Sequence, residues 1–547
     1  MRKILYTTLC FLGCFAYGMA SDVTTYHNDN KRTAVNSQET TLTPANVTAT
    51  KFGKVGFWPT DGLIVAMPLF VSGLSIGGGT HDVVYVVTEH DSIYAFDGAS
   101  GQVLWRTSAI PPGEHVSSYL NCGSISPEIG ITGTPVIDRA NNAIYFVAAT
   151  QDASNAYHQR LYALSLTAGV SLLPPREIRG TFRGSQGQSA VFNPGRHLQR
   201  PALLELNGYI YIGFGSHCDG RPYFGWLMEY QAATLQQTSL LNFAPNGNLP
   251  GGGQAALWMG GAGPAADSQG FIYVETANGA FDTELNSRGF PTLGDFGNSA
   301  VKIKPGVGSP MSIVDYFAMT NDLWEDVQDL DLGSGGPVVV DTFGAMPLVI
   351  VTGKDQNIYV LNRNDMGKWN PIKNYIYQEL DGVVNFGMFS APAFFNNTMY
   401  FGPEYGLVTA FPVGRGYLAT APSSQSTHRF PLRGSSVTIS ANGTSNGVVW
   451  APECINCEDT GLVRSNAMLH AFESSEDTVP GLSSEVLHAF DASDLSREIY
   501  NTTQSGNRDL IGDGNKFITP LVANGRVYLG MTNGVVVFGL LSSGEAK

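Results

Sequence analysis

Charge is scarce in this chain, and positive charge scarcer still. Only 14% of the residues are charged, with 31 lysines and arginines against 46 aspartates and glutamates and a formal net charge of −15. Such a surface repels phosphate backbones and anionic lipid, which argues against nucleic acid and peripheral membrane partners. Beyond the N-terminus no apolar run is long enough to span a bilayer. No stretch sustains a 3.6-residue apolar period, which excludes a helical solenoid. A G-x-S-x-G elbow, an H-E-x-x-H helix and a P-loop are all missing, and the chemistries that need them go with them. Cysteine is also rare, at six residues. Cys454-Ile455-Asn456-Cys457 resembles a redox or zinc pair, but no second pair completes a four-cysteine site. Glu458 stands where covalent haem attachment needs histidine.

The first twenty residues have their own logic. Met1-Arg2-Lys3 is basic, Ile4 to Tyr17 is largely apolar, and Gly18-Met19-Ala20 supplies small residues. This reads as a secretory signal cleaved after Ala20, which places the protein in a periplasm or outside the cell. Phe11-Leu12-Gly13-Cys14 offers a lipoprotein-type alternative with Cys14 as the lipidated N-terminus. Cys10 and Cys14 leave with the signal. Cys122, Cys218, Cys454 and Cys457 remain, an even number in an exported chain, and structural disulfides are the default reading. Sequons begin at Asn46, Asn396, Asn442 and Asn501.

What the chain has in abundance is glycine, 64 residues, and proline, 29. They punctuate a repeat: a strand opening on proline, then an "IYV" strand, a polar turn and a "YAF" strand. Copies start at Met67-Pro68, Thr134-Pro135, Arg200-Pro201, Gly263-Pro264, Gly336-Pro337, Ala391-Pro392, Ser436-Val437 (without the proline) and Thr519-Pro520. Each copy is a small antiparallel sheet of about four strands, apolar on both faces, which cannot bury both faces alone. Radial stacking buries them. The expected fold is therefore all-β, an eight-bladed β-propeller of four-stranded antiparallel blades over residues 51–541. Residues 21–50 form an N-terminal extension and 542–547 a tail. The eighth copy ends near Phe538 without an outer strand, and Lys54 to Trp58 is an orphan strand expected to complete it and close the ring.

Ala95-Phe96-Asp97-Gly98-Ala99-Ser100-Gly101-Gln102-Val103-Leu104-Trp105 resembles the tryptophan-docking motif of the quinoprotein alcohol dehydrogenase-like propellers, built on PQQ-like repeats. The resemblance covers nearly all the chain after the signal. It implies that Ala95, Asp97, Gly101 and Trp105 dock one blade on the next, a packing role that specifies fold more than function.

In such a ring the loops between second and third strands share a face with the inter-blade loops. Glu89, His90, Asp91, His217, Asp219, Asn278, Lys354, Asp355, Glu404 and Asn533 are thereby candidates for a polar, concave binding rim, to which the resemblance adds Trp258. The cysteines fall on the same face. A Cys122–Cys218 bridge would brace adjacent blades, and Cys454–Cys457 would be a local staple. The resemblance further implies pyrroloquinoline quinone and calcium as candidate cofactors. Asn278 and Asp219 are the implied metal ligands, Trp258 is the indole under the cofactor, and Asn321 to Asp326 lies near the catalytic region. Two features depart from the family pattern. The strand after Asn278 runs into Lys304-Pro305 with no carboxylate for a general base, and there is no Cys-Cys pair. The leading expectation is an exported binding or scaffold propeller with an eroded quinoprotein site, its partner a small molecule, glycan or protein at the channel face. The alternatives are a divergent alcohol or sugar dehydrogenase using that cofactor and calcium, and an envelope-assembly scaffold. A monomer is expected throughout.

Overall fold

The computed structural model describes residues 21–118, 125–246, 255–341, 346–455 and 484–542. The predicted signal, Cys14, Cys122, Cys457 and residues 543–547 lie outside them. Eight antiparallel sheets follow one another along the chain. Blade 1 comprises Leu69–Ile76, Gly79–Val87, Ser92–Asp97 and Val103–Ser108. Blades 2 to 7 open on innermost strands at Val136–Asp138, Leu204–Leu206, Ala265–Ala266, Val338–Val340, Ala393–Phe395 and Thr438–Asn442. Blade 8 is Leu521–Ala523, Arg526–Gly530 and Gly534–Leu540, and Phe52–Pro59 pairs antiparallel with the last of these as its outer strand. The innermost strands of blades 8 and 1 touch, so the two ends of the repeat meet.

The strands read as near-continuous apolar runs because both faces of each sheet are covered. Leu348–Thr352 in blade 5 is buried at every position. Neighbouring sheets supply the cover, as in any stack of two-sided sheets. The docking motif shows how two sheets lock. Asp97 Oδ1 accepts from the Ala99 and Ser100 amides, and Gly101 takes φ +76 to return the chain. A Cβ on Gly101 would lie 2.1 Å from Trp58 Nε1, so the indole of blade 8 rests flat on the turn of blade 1. One seam further on, Trp105 lies on Gly169 of blade 2 and donates its Nε1–H to Leu166 O at 2.9 Å.

The N-terminal extension does more than precede the propeller. Residues 23–36 run around the inside of the ring and touch the innermost strand of every blade. Phe70, Ile137, Ala266, Val339, Phe394 and Ile439 donate their amides to the carbonyls of Val23, Thr24, Asn30, Lys31, Thr33 and Ala34. Blade 3 is reached through Asn30 Nδ2 on Glu205 O, and blade 8 through Asn36 Nδ2 on Val522 O, both at 2.9 Å. At the centre Arg32 is fully buried. Its guanidinium donates to Thr25 Oγ1 and to the carbonyls of Tyr26, Leu203 and Pro264. Burial lowers its pKa to about 10, opposed by Asp29, and it stays a cation at neutral pH.

Two outcomes test this packing. Trp105→Ala should cost about 3 kcal/mol of stability, and Gly169→Ala at least ~1 kcal/mol from its left-handed backbone alone. In chemical denaturation the double variant should lose clearly less than the sum, because once the indole is gone the two tightest contacts of the new methyl go with it and Thr107 Oγ1, at 2.9 Å, is what remains. Strict additivity would mean that the two residues do not dock. Arg32→Met should destabilise by about 3 kcal/mol or more, since it leaves three buried carbonyls without their donor. A wild-type denaturation midpoint would refute that account.

Candidate functional site

The segments that lead from one blade into the next innermost strand converge on the channel face and line a cavity of about 180 Å³. Arg200 enters from the approach to blade 3, Trp258 and Gly260 from that to blade 4, and Asp331 and Ser334 from that to blade 5. Phe389, Arg433 and the pair Lys516-Phe517 come from the approaches to blades 6, 7 and 8. Cys218 and Asp219 join them from the loop between the second and third strands of blade 3, and Lys354 from the equivalent loop of blade 5. Cys218 and Asp219 both adopt left-handed backbone, at φ 44 and 54, in the tight turn closed by Gly220 N–H on His217 O. The threaded N-terminus lies beneath: the Tyr26 hydroxyl contacts Ser436 Oγ at 3.3 Å and Thr519 Oγ1 at 3.4 Å.

Cations dominate one wall. The Arg200 guanidinium sits 3.9 Å over the Phe517 ring, and that of Arg433 sits 4.8 Å over Phe389. Burial, then Arg433, holds Arg200 down to about 10. Burial, then Arg433 and Arg200, pushes Lys516 down to about 7, so one lysine of this wall titrates near neutrality. Opposite, Lys354 donates to Asp329 Oδ2 at 3.1 Å and to Asp331 Oδ2. Burial opposes its charge, but the two aspartates outweigh burial and hold the ammonium well above the ordinary lysine range. Burial, then Asp331 and Asp329, raises the carboxyl of Asp219, which accepts from Tyr223 OH at 2.8 Å.

Of the rim candidates, Asp219, Trp258 and Lys354 share this cavity. Asn278 lies just behind it, with its amide N–H on Asp331 Oδ1, its Nδ2 on Asp329 Oδ1 and its Oδ1 accepting from Asn298 Nδ2. Other candidates do not line it. Glu89 is buried, accepting from the Gly130 amide and Thr132, and burial pushes it up to about 7. His90 pairs with Glu128 at 2.9 Å. Asp91 is fully buried, and burial raises its carboxyl strongly. His217 is held neutral by burial, down to about 4. Asp355 accepts from Tyr359 OH and Asn357, and Glu404 from the Arg433 amide at 3.0 Å. Asn533 lies in blade 8, its carbonyl on Thr60 N. Cys218 and Cys454 are each disulfide-bonded, and the partners expected for them, Cys122 and Cys457, lie outside the described residues.

Sequence reasoning missed Arg200, Ser334, Phe389, Arg433, Lys516 and Phe517. Their signal was present: Arg200 opens a repeat copy and each of the others stands within a few residues before the start of one, and the ring brings those starts together. It also missed a carboxylate beside Asn278. The strand after Asn278 indeed ends in Lys304-Pro305, but the carboxylates arrive from Asp329 and Asp331, beyond the outer strand of blade 4 and after the short helix Asp322–Gln328.

No protein-family model matches the chain, and no curated protein does. Among solved structures, the quinohemoprotein alcohol dehydrogenase from Comamonas testosteroni aligns at a TM-score of 0.57 and 14% identity, over 95% of this chain and 80% of that one. The quinohemoprotein alcohol dehydrogenase ADHIIG from Pseudomonas putida HK5 aligns at 0.54 and 12%, again over 95% and 80%. BamB from Moraxella catarrhalis aligns at 0.47 and 11%, over 90% of this chain and all of that one. At such identities the likeness speaks for the fold alone: this chain is an eight-bladed β-propeller that aligns with the two quinohemoprotein alcohol dehydrogenases over 95% of its length.

Proposed function

We propose that this is an exported binding propeller whose central cavity takes a planar polyanion of the pyrroloquinoline quinone class. The observation that carries the reading is the convergence of Arg200, Arg433 and Lys516 with the aromatic faces of Trp258, Phe389 and Phe517, in a chain whose net charge is −15. A buried cationic wall in an acidic protein attracts anions into one place, and flat aromatic faces favour a flat ligand. The residues fit such a tricarboxylate. Arg200, Arg433 and Lys516 would hold its carboxylates, and Trp258 would flank its ring. They fit calcium less well. The Asn278 amide and the Asp219 carboxylate are each committed to neighbours, and the Lys354 ammonium already sits between Asp329 and Asp331. Bridges Cys122–Cys218 and Cys454–Cys457 belong to this reading as braces of the cavity rim and of blade 7.

A second reading, a dehydrogenase, rests on Asp331. It is a cavity carboxylate beside Lys354 and Asn278, placed where it could accept a proton from a bound alcohol. The quinone, when bound, supplies a two-electron acceptor. This chain's own part would be to bind it, exclude water and hold the proton at Asp331.

Titration with pyrroloquinoline quinone, followed by tryptophan fluorescence, tests both readings. Saturable binding is expected, weakening about tenfold from about pH 6 to about pH 8. The sign follows from Lys516, which carries its charge below about 7 and loses it above, while Glu89 loses its proton over the same range and adds to the loss. Lys516→Met should flatten the pH dependence. No saturation at micromolar quinone, with or without calcium, would end the proposal. Alcohol-dependent reduction of an artificial acceptor, lost in Asp331→Asn with quinone binding kept, would establish the dehydrogenase; its absence in the loaded protein leaves the binding reading alone.

A further inference from the structure

A second polar cluster lies outside the cavity, on the seam between blades 6 and 7. His428 belongs to the outer strand of blade 6, Ser424–Arg429. Glu453 and His488 belong to the second and third strands of blade 7, Ser445–Ile455 and Ser484–Asp491. Ala451 faces His488 in register, so Glu453, two residues on, is its diagonal neighbour on the same face. Stacking of the blades then lays the His428 ring over that of His488, with centroids 4.4 Å apart. Both imidazoles aim Nε2 at one atom: Glu453 Oε2 lies 2.9 Å from His428 Nε2 and 2.8 Å from His488 Nε2. The three ligating atoms all lie within 4.8 Å of one another, the one such trio among the described residues.

The surroundings match those of a built metal site. His488 Nδ1 faces Glu498 Oε1 at 2.6 Å, and that oxygen also accepts from Asn501 Nδ2 at 3.0 Å. A carboxylate can only accept, so Nδ1 carries a proton and Nε2 is the nitrogen turned toward Glu453. Such an outer carboxylate fixes tautomer and ring orientation in histidine metal sites. Phe430 packs edge-on against both imidazoles and Phe490 stacks beside His488, which gives a dry inner wall. Glu453 and His488 are buried, whereas the His428 side chain is 36% exposed and opens the cluster to solvent.

We propose that His428 Nε2, His488 Nε2 and Glu453 Oε2 bind one divalent ion of the zinc class and tie blade 6 to blade 7 through it. Two imidazoles and one carboxylate suit a borderline ion and not calcium or magnesium, which prefer all-oxygen sets. Bonds of about 2.0–2.2 Å in a tetrahedron put ligand atoms about 3.3 Å apart. The two spacings to Glu453, 2.8 and 2.9 Å, need to open by about half an ångström, and the two imidazole nitrogens, now within 4.8 Å of each other, have to settle at that same separation. The ion would displace the N–H protons now aimed at Glu453, and water from the His428 side would take the fourth position.

The full-length protein, stripped by chelator, is titrated with Zn(II) and separately with Co(II), without any quinone. One equivalent of zinc should bind at micromolar affinity or tighter and raise the thermal midpoint, and Co(II) should develop the visible absorption of a four-coordinate nitrogen–oxygen site. His428→Gln, at a half-exposed position that leaves the core intact, should weaken binding at least ~100-fold. Glu498→Gln, which reaches the trio through His488 alone, should weaken it about 10–100-fold. Weak or substoichiometric zinc uptake by the wild type overturns the proposal, as does uptake undiminished in His428→Gln, or displacement of zinc by equimolar calcium.

Discussion

Everything in this molecule rests on the inner edges of its blades. A propeller buries the faces of its sheets by stacking them, but each innermost strand still turns a row of amides and carbonyls toward the channel. Here residues 23–36 answer those groups one blade after another, and Arg32 collects the carbonyls of Leu203 and Pro264 that the thread's own backbone does not reach. The thread thus acts as a ninth element shared by all eight sheets. It also sets the floor of the cavity, because Tyr26 lies against Ser436 and Thr519, and the inter-blade approaches gather above it together with the hairpin loops of blades 3 and 5.

That geometry explains why an acidic protein can carry a cationic pocket. Three of the approach segments, those to blades 3, 7 and 8, bring one basic residue each: Arg200, Arg433 and Lys516. Burial and then Arg433 disfavour the charge of Arg200, and burial, Arg433 and Arg200 together disfavour that of Lys516. A fold would shed such a cluster unless something offset it. Glu89, behind Arg200, supplies part of that, and the aromatic faces of Phe517 and Phe389 supply more.

The architecture was legible because its signals are local. A proline before each inner strand, two apolar strands around a polar turn and one well-kept docking motif all lie within a single copy, and counting copies counts blades. The thread was not legible. Its residues form backbone bonds with partners up to several hundred positions away, and neither periodicity nor composition marks a segment whose role is to satisfy other strands' edges. Within the cavity, Asp219 and Lys354 could be found from loop position and Trp258 from the resemblance, while Arg200 and Arg433 were missed, because loop position pointed to hairpin tips and not to the approaches. Asp331 illustrates the same limit. The reading sought a carboxylate on the chain immediately after Asn278, whereas the fold delivers it from the far end of the blade.

The seam between blades 6 and 7 carries this reasoning one step further. His428, Glu453 and His488 have no motif spacing, since they sit on three strands of two sheets and meet only because those sheets stack. Most seams of the ring are filled with apolar side chains, which need no specific partner and tolerate substitution by shape. A polar trio in such a place has to be satisfied atom by atom. Here the satisfaction is reciprocal: Glu453 takes both Nε2 atoms and Glu498 takes the remaining Nδ1 of the buried ring. Repeat folds generate two kinds of convergent polar set, those at the axis where many copies meet and those on a seam where two do. The first is announced by the repeat itself. The second is invisible until the sheets are stacked, and among the described residues it is the seam that brings two imidazoles and a carboxylate within 4.8 Å of one another.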